Sequence, residues 1–110
     1  MENIIVKNRV RLNRGKLSNF YDLPKDKQNI FFLIKKYIDN VYSKNVDIEI
    51  HGSYKHGYWD DLSDFDVIIN ERGFDCKELS RKIRVDLNMK IDIFYSRNKF
   101  NTVIIPSESI

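Results

Sequence analysis

Residues 52–69 read GSYKHGYWDDLSDFDVII, and this stretch decides both the fold class and the candidate site. Phe65, Val67 and Ile69 share one face of a predicted strand, whereas Asp64 and Asp66 share the opposite face, because residues i and i+2 of a strand project to the same side. Two carboxylates this close repel each other unless a cation neutralises them. The pattern therefore predicts a strand that buries one face and binds divalent metal on the other. An Asx-turn pair at the strand start is the alternative for the two acids.

A third acid lies on another predicted strand, at residues 90–95. The isoleucines on either side of Asp92 share the core face, so the Asp92 side chain points the other way. If this strand lies beside the first with the apolar faces aligned, Asp92 converges with Asp64 and Asp66. Hard oxygen ligands of this kind suit Mg²⁺ or Mn²⁺, and two such ions can activate an attacking oxygen and stabilise leaving pyrophosphate. The alternative for Asp92 is an exposed strand acid.

Gly52 and Ser53 come directly after a third predicted strand, in which Val46, Ile48 and Ile50 alternate with polar residues. Glycine lets the backbone approach a phosphate closely, and exposed N–H groups with the Ser53 hydroxyl would then cradle a triphosphate. An ordinary turn is the alternative for these two residues.

The remaining predicted elements complete a small mixed sheet with helices on one face, which belongs to the α/β (α+β) class. They are a strand at Ile4–Leu12, a helix at Lys25–Ser43 after Pro24, a helix at residues 76–87 capped by Asp75 with Glu78 three residues on, and an edge element at Phe100–Ile105. The predicted organisation is one domain, residues 1–110, with a basic arm at 1–24, the core at 25–96 and a tail at 97–110.

The motif pattern resembles the minimal nucleotidyltransferases of the DNA polymerase β superfamily. The spacing Gly-Ser-x-x-x-Gly, five residues, Ser-Asp-x-Asp is matched without insertion, and the resemblance covers roughly residues 28–96. The matching residues are Gly52, Ser53, Gly57, Ser63, Asp64 and Asp66. The resemblance implies a nucleotidyltransferase fold in which Gly52 and Ser53 bind the triphosphate. It also implies that Asp64, Asp66 and Asp92 are catalytic and bind metal, and that Asp92 helps to activate the acceptor.

The activity that the resemblance implies is transfer of a nucleoside monophosphate, AMP in the first instance, from an NTP to an acceptor hydroxyl with release of pyrophosphate. The cofactors are two Mg²⁺ or Mn²⁺ ions, and the acceptor or a helical partner can be another protein. Where the family often has a small residue and an arginine, this chain has Lys55 and His56, to which no role is assigned. Two alternatives stay open: a non-catalytic NTP-binding or interaction module, and a nucleotidyltransferase acting on nucleic-acid ends.

The positive charge of the chain is concentrated in the N-terminal arm. The net charge is +3, and residues 1–25 hold six basic against two acidic side chains, so the rest of the chain is close to neutral. This basic arm could contact a nucleotide or nucleic acid, or it could be a solvated strand face. A single cysteine, Cys76, and the lack of a long apolar run predict a cytoplasmic protein with no membrane segment. Neither the acceptor nor the oligomeric state follows from the sequence.

Several other side chains carry two interpretations each. Tyr54, Tyr58 and Trp59 could stack on a base or pack over the turn. Lys55, Arg97 and Lys99 could assist with phosphate or lie in solvent. Asp60 and Asp61 are predicted to be solvated loop acids, Cys76 to be core, and His51 and His56 are not predicted to bind zinc, because no Cys/His cluster accompanies them.

Overall fold

A three-stranded sheet forms the centre of the computed structural model, which describes residues 3–6, 9–98 and 103–107. Its strands are β3 (Ile48–His51), β4 (Phe65–Ile69) and β5 (Ile91–Tyr95), in the spatial order β3-β4-β5. β3 pairs with β4 antiparallel, and β4 pairs with β5 parallel. The sheet is therefore mixed, and the α+β class predicted from the sequence is confirmed.

The first helix, α1, spans Lys25–Tyr42 and lies on the apolar face of this sheet. Phe31, Ile34 and Ile38 recur at helical spacing and are fully buried, and the Phe31 ring contacts the Phe65 ring edge-on, with 5.4 Å between centroids. The helix begins after Pro24, as predicted. It ends one residue before the predicted Ser43 because that residue takes a left-handed conformation (φ 55°).

The helix α3 (Cys76–Leu87) connects β4 to β5 and has the bounds predicted from its cap. The Asp75 carboxylate accepts hydrogen bonds from the backbone N–H groups of residues 77 and 78. The Ser80 hydroxyl accepts from the Ile93 N–H at 2.9 Å, so this helix also satisfies a backbone group on the outer edge of β5. A helical connection of this kind is what places two strands in parallel.

The N-terminal residues form two strands, and the single strand predicted over Ile4–Leu12 is wrong. β1 (Asn3–Val6) pairs antiparallel with β2 (Arg9–Leu12), so that Val6 lies opposite Arg9. The alternation of apolar and polar residues could not distinguish one long strand from two paired strands. A connection with an even number of residues leaves the alternation of the second strand in phase with that of the first.

The C-terminal residues 103–105 lie antiparallel to β3. The Ile50 N–H donates to the Val103 carbonyl at 3.0 Å, and the Ile105 N–H donates to the Ile48 carbonyl at 2.9 Å. This part of the predicted edge element at Phe100–Ile105 is confirmed, and residues 100–102 lie outside the described residues. None of the described helices has the length and apolar character needed to cross a membrane.

The core lies between the sheet and the helices. It is built from the inward-facing residues of all three central strands together with one stripe of each long helix. Cys76 is half-buried and packs against this core, as predicted. The opposite face of β4 and β5, which carries Asp66 and Asp92, lies outside this core.

Candidate functional site

Two of the three predicted catalytic acids are direct neighbours across the parallel strands. Asp66 of β4 lies opposite Asp92 of β5 in the register, and both are half-buried on the face away from the core. Asp64 precedes β4 by one residue and is exposed. The structure therefore places all three acids on one side of the sheet, with Asp64 at the solvent end.

Asp66 is the electrostatically strained member of this group. Burial raises the pKa of the Asp66 carboxyl to about 6, with further increases from the negative charges of Asp92 and Asp64 and an opposing effect from Arg84. A carboxylate in such a place gains from any cation that reaches it.

Arg84 is the cation that the fold itself supplies. Its guanidinium forms an ion pair with Asp92, and its Nε donates to the Ile91 carbonyl at 2.6 Å. In the part of the chain that the structure describes, no three His, Cys, Asp or Glu side chains are grouped closely enough to hold a metal ion. The close convergence of three carboxylates expected from the sequence is therefore not seen among these residues, and the Asp92 carboxylate is engaged by Arg84 instead.

Gly52 is required by its contact with Asp66. It follows β3 directly, has φ of 66°, and a Cβ built on it would overlap the Asp66 carboxylate. Only glycine takes this conformation and leaves this space at no steric cost. The turn predicted to bind phosphate thus begins in contact with Asp66, the carboxyl group whose pKa is raised to about 6.

A large open cleft of about 1230 Å³ connects the turn with the acids. Ser53, in the short helix α2 (Gly52–His56), lines it together with Asp64 and Asp66. Arg11 and Arg84 bring two guanidinium groups to the same cleft. A space lined by carboxylates, a hydroxyl and cations suits a metal-bound polyphosphate.

The loop between α2 and β4 is organised by Asp60. One oxygen of Asp60 accepts from the Leu62 N–H at 2.9 Å and lies 3.2 Å from the Ser63 hydroxyl, which in turn accepts from the Asp60 N–H at 2.8 Å. Asp60 therefore forms an Asx turn, and the prediction that it is a solvated loop acid is wrong. Asp61 is exposed, as predicted, and pairs with Lys27 at 3.2 Å.

The aromatic residues of the motif are packing residues. Tyr54 is stacked between Trp59 and Phe65, with centroid distances of 5.1 and 5.0 Å. Tyr54 and Trp59 are both buried, so the base-stacking interpretation is wrong for them. Tyr58 is half-buried. The stack holds the Gly-Ser turn and the acidic strand in one rigid unit.

The other candidates lie at the margins of the site. Lys55 Nζ is 3.9 Å from Glu49. His51 lies opposite Asp66 in the register, and the pKa of His51 is lowered by burial and by the charges of Lys55 and His56. His56 and Arg97 are exposed, and Lys99 lies outside the described residues.

Two arginines of the cleft were not singled out from the sequence. Arg84 sits on a helix whose periodicity indicated only its apolar stripe, and its distance from Asp92 depends on how α3 lies along β5. Arg11 was counted only as part of the basic arm. The one available signal for Arg84 was its place in the last turn of a helix that leads into the Asp92 strand.

Searches of the chain against protein-family models, curated proteins and solved structures found no match. The resemblance carried by the Gly-Ser and Asp-x-Asp motifs therefore stays a prediction.

Proposed function

We propose that this protein is a metal-dependent nucleotidyltransferase, which transfers a nucleoside monophosphate from an NTP, in the first instance ATP, to an acceptor hydroxyl and releases pyrophosphate. The observation that carries the proposal is the register pair of Asp66 and Asp92, lying next to the turn that begins at Gly52. Two facing carboxylates repel each other and are therefore not expected for stability alone. Gly52 leaves the space that the Asp66 carboxylate occupies.

Asp64, Asp66 and Asp92 would hold Mg²⁺ or Mn²⁺. The donor set fits such a hard cation, since all three ligands are carboxylates, and burial of Asp66 together with the negative charges of Asp92 and Asp64 leaves its ionised form in need of a compensating cation. The bound ions would supply charge neutralisation for the polyphosphate and for the oxygen that leaves.

The chain's own groups bind and orient the reactants. Backbone N–H groups at Gly52 and Ser53, with the Ser53 hydroxyl, bind the triphosphate. The acceptor oxygen attacks the α-phosphorus, the bond from that phosphorus to the pyrophosphate oxygen breaks, and a carboxylate oxygen of Asp92 takes the acceptor's proton. Arg84 must then share Asp92 with the reacting groups, because it contacts that carboxylate directly.

The test is pyrophosphate release from each of the four NTPs with Mg²⁺ or Mn²⁺ and a cell extract as acceptor source. We expect the Asp64→Asn/Asp66→Asn variant to lose at least about a thousandfold in rate, equivalent to about 4 kcal/mol of transition-state stabilisation. Asp47→Asn is the matched control, since Asp47 is exposed and remote from the cleft lining. Radioactive α-phosphate distinguishes a protein acceptor from a nucleic-acid end. Equal rates for wild type and the double variant would refute the proposal.

A non-catalytic NTP-binding module is the second candidate. The observation in its favour is that Arg84 engages Asp92, and that no three acidic ligands are grouped closely within the described residues. Calorimetry with ATP and Mg²⁺ decides between the two: binding that never leads to pyrophosphate release supports the module.

A further inference from the structure

The segment that follows the N-terminal hairpin of β1 and β2 is tied to the motif loop by backbone hydrogen bonds. The Arg14 N–H donates to the Gly57 carbonyl at 2.8 Å, and the Leu17 N–H donates to the Lys55 carbonyl at 2.8 Å. A Cβ at Gly57 (φ 87°) would overlap the backbone of Gly15, so this glycine allows the close approach of the two segments. The second glycine of the motif thus serves to dock residues 14–17.

Side chains reinforce this docking. The Arg14 guanidinium stacks over the Trp59 ring, 3.8 Å from its centroid, and donates to the Trp59 carbonyl. Strand β2 ends two residues before Arg14, so its last residues are held next to the loop that leads to Asp64.

Arg11 is the residue of β2 that this docking brings into the cleft. Its side chain is 15% exposed, and its Nε is buried with no hydrogen-bond partner among the described residues. The neighbouring acid is Asp60, whose carboxylate oxygen lies 3.8 Å from that Nε, beyond hydrogen-bond range. Arg11 lines the cleft together with Ser53 and Asp64.

A buried guanidinium N–H without an acceptor is unfavourable, so a ligand that supplies an acceptor there gains binding energy. The planar guanidinium matches the oxygens of a phosphate, often through two parallel hydrogen bonds. The cleft also holds carboxylates, which repel an anion, so a cation within it is needed to admit a polyphosphate chain.

We infer that Arg11 is a phosphate-binding residue, which contacts the polyphosphate chain of the nucleotide from the side of the cleft formed by the N-terminal hairpin. The inference rests on the proposed function, and it assigns to the hairpin the recognition of a nucleotide instead of a nucleic-acid backbone. A nucleic-acid role fits less well, because the Nε of Arg11 is buried and Arg14 is engaged by Trp59.

The experiment measures binding of inorganic tripolyphosphate, ATP and a short single-stranded RNA by calorimetry, in the presence of Mg²⁺. The variants are Arg11→Ala, Arg11→Lys and, as a matched control, Arg81→Ala. Arg81 is exposed on α3, where it pairs with Glu78 at 2.6 Å. We expect Arg11→Ala to weaken tripolyphosphate and ATP binding about tenfold or more, which is the loss of one charge-assisted hydrogen bond. Arg11→Lys should recover part of the loss by keeping the charge, and Arg81→Ala should bind like wild type.

Unchanged ATP and tripolyphosphate affinity in a folded Arg11→Ala variant overturns the inference about Arg11. If turnover still depends on Asp64 and Asp66 in that case, the proposed function stands. Loss of RNA binding alone assigns the hairpin to nucleic acid and also overturns the inference. A wild-type protein that binds neither ATP nor tripolyphosphate contradicts both proposals.

A measurement on the wild type covers the case in which the Arg11 variants do not fold. Amide hydrogen exchange over residues 9–17 should slow when tripolyphosphate binds, because the hairpin is then held by the ligand as well as by the loop. Exchange that is unchanged at saturating tripolyphosphate overturns the inference.

Discussion

Replacing Asp66 by asparagine should stabilise the metal-free protein, and the gain should depend on pH. The pKa of Asp66 is raised from 3.8 to about 6, so the folded state holds this proton more tightly than the unfolded state does. The stabilising effect of the proton is complete below about pH 3.8 and is lost as the pH rises through about 6. The amide of the Asp66→Asn variant carries no such titrating proton, so the variant does not lose this stability.

The size of the effect follows from the shift. At about 1.4 kcal/mol per pH unit, the change from 3.8 to about 6 corresponds to about 3 kcal/mol. Because Asp66 is only half-buried, solvent screening reduces this to about 1.5 kcal/mol. For a domain of this size, such a gain raises the melting temperature by roughly 6 °C.

The assay is thermal unfolding of wild type, Asp66→Asn and the exposed-acid control Asp47→Asn between about pH 4.5 and pH 8, with EDTA present. The difference between Asp66→Asn and wild type should grow with pH and level off above about pH 7. Adding Mg²⁺ at about pH 7.5 should stabilise wild type more than the variant, since the variant has lost a ligand charge. A difference that does not vary with pH, or an equal gain in Asp47→Asn, would refute the reasoning.

Two further substitutions test the surroundings of that carboxylate. Arg84→Ala removes the cation that lowers the pKa of Asp66, so urea denaturation should show a larger loss of stability at about pH 8 than at about pH 4.5. The lost hydrogen bond to the Ile91 carbonyl contributes equally at both pH values. Equal losses of stability at the two pH values would contradict the electrostatic role of Arg84. Gly52→Ala should cost at least about 2 kcal/mol by the same measurement, from backbone strain and displacement of Asp66. Gly15→Ala is its control, since Gly15 also has positive φ (82°) but has nothing within 4 Å of an added Cβ, and equal costs would exclude the clash.

The elements that sequence reasoning located well are those with strong local signals. α3 has a capping aspartate and a regular apolar stripe, and β4 alternates between core and acid, so their ends follow from short-range physics. The alternation placed Asp66 and Asp92 on corresponding faces of their strands, but their direct pairing was expected only on the condition that the two strands are neighbours. Their roles as ligands and catalysts stay predictions.

The features that escaped prediction depend on contacts between distant parts of the chain. The hairpin of β1 and β2 shares its period with one long strand, so local pattern could not separate the two. Arg84 reaches Asp92 only because α3 packs along β5, and Arg11 reaches the cleft only because Gly57 admits residue 15. Asp60 is not a solvated acid, because its carboxylate accepts from the Leu62 N–H in an Asx turn and from the Ser63 hydroxyl, and no spacing rule indicated these contacts.

Both margins of the central sheet are engaged in the part of the chain that the structure describes. On one side, Ser80 and Arg84 occupy an amide and a carbonyl of β5; on the other, residues 103–105 occupy β3. Unpaired strand margins are templates on which another chain can add a strand, and through which sheets aggregate. At both places the groups on β3 and β5 are already in use, so a protein acceptor of the proposed reaction should be recognised through side chains around the cleft and not by strand addition to β3 or β5.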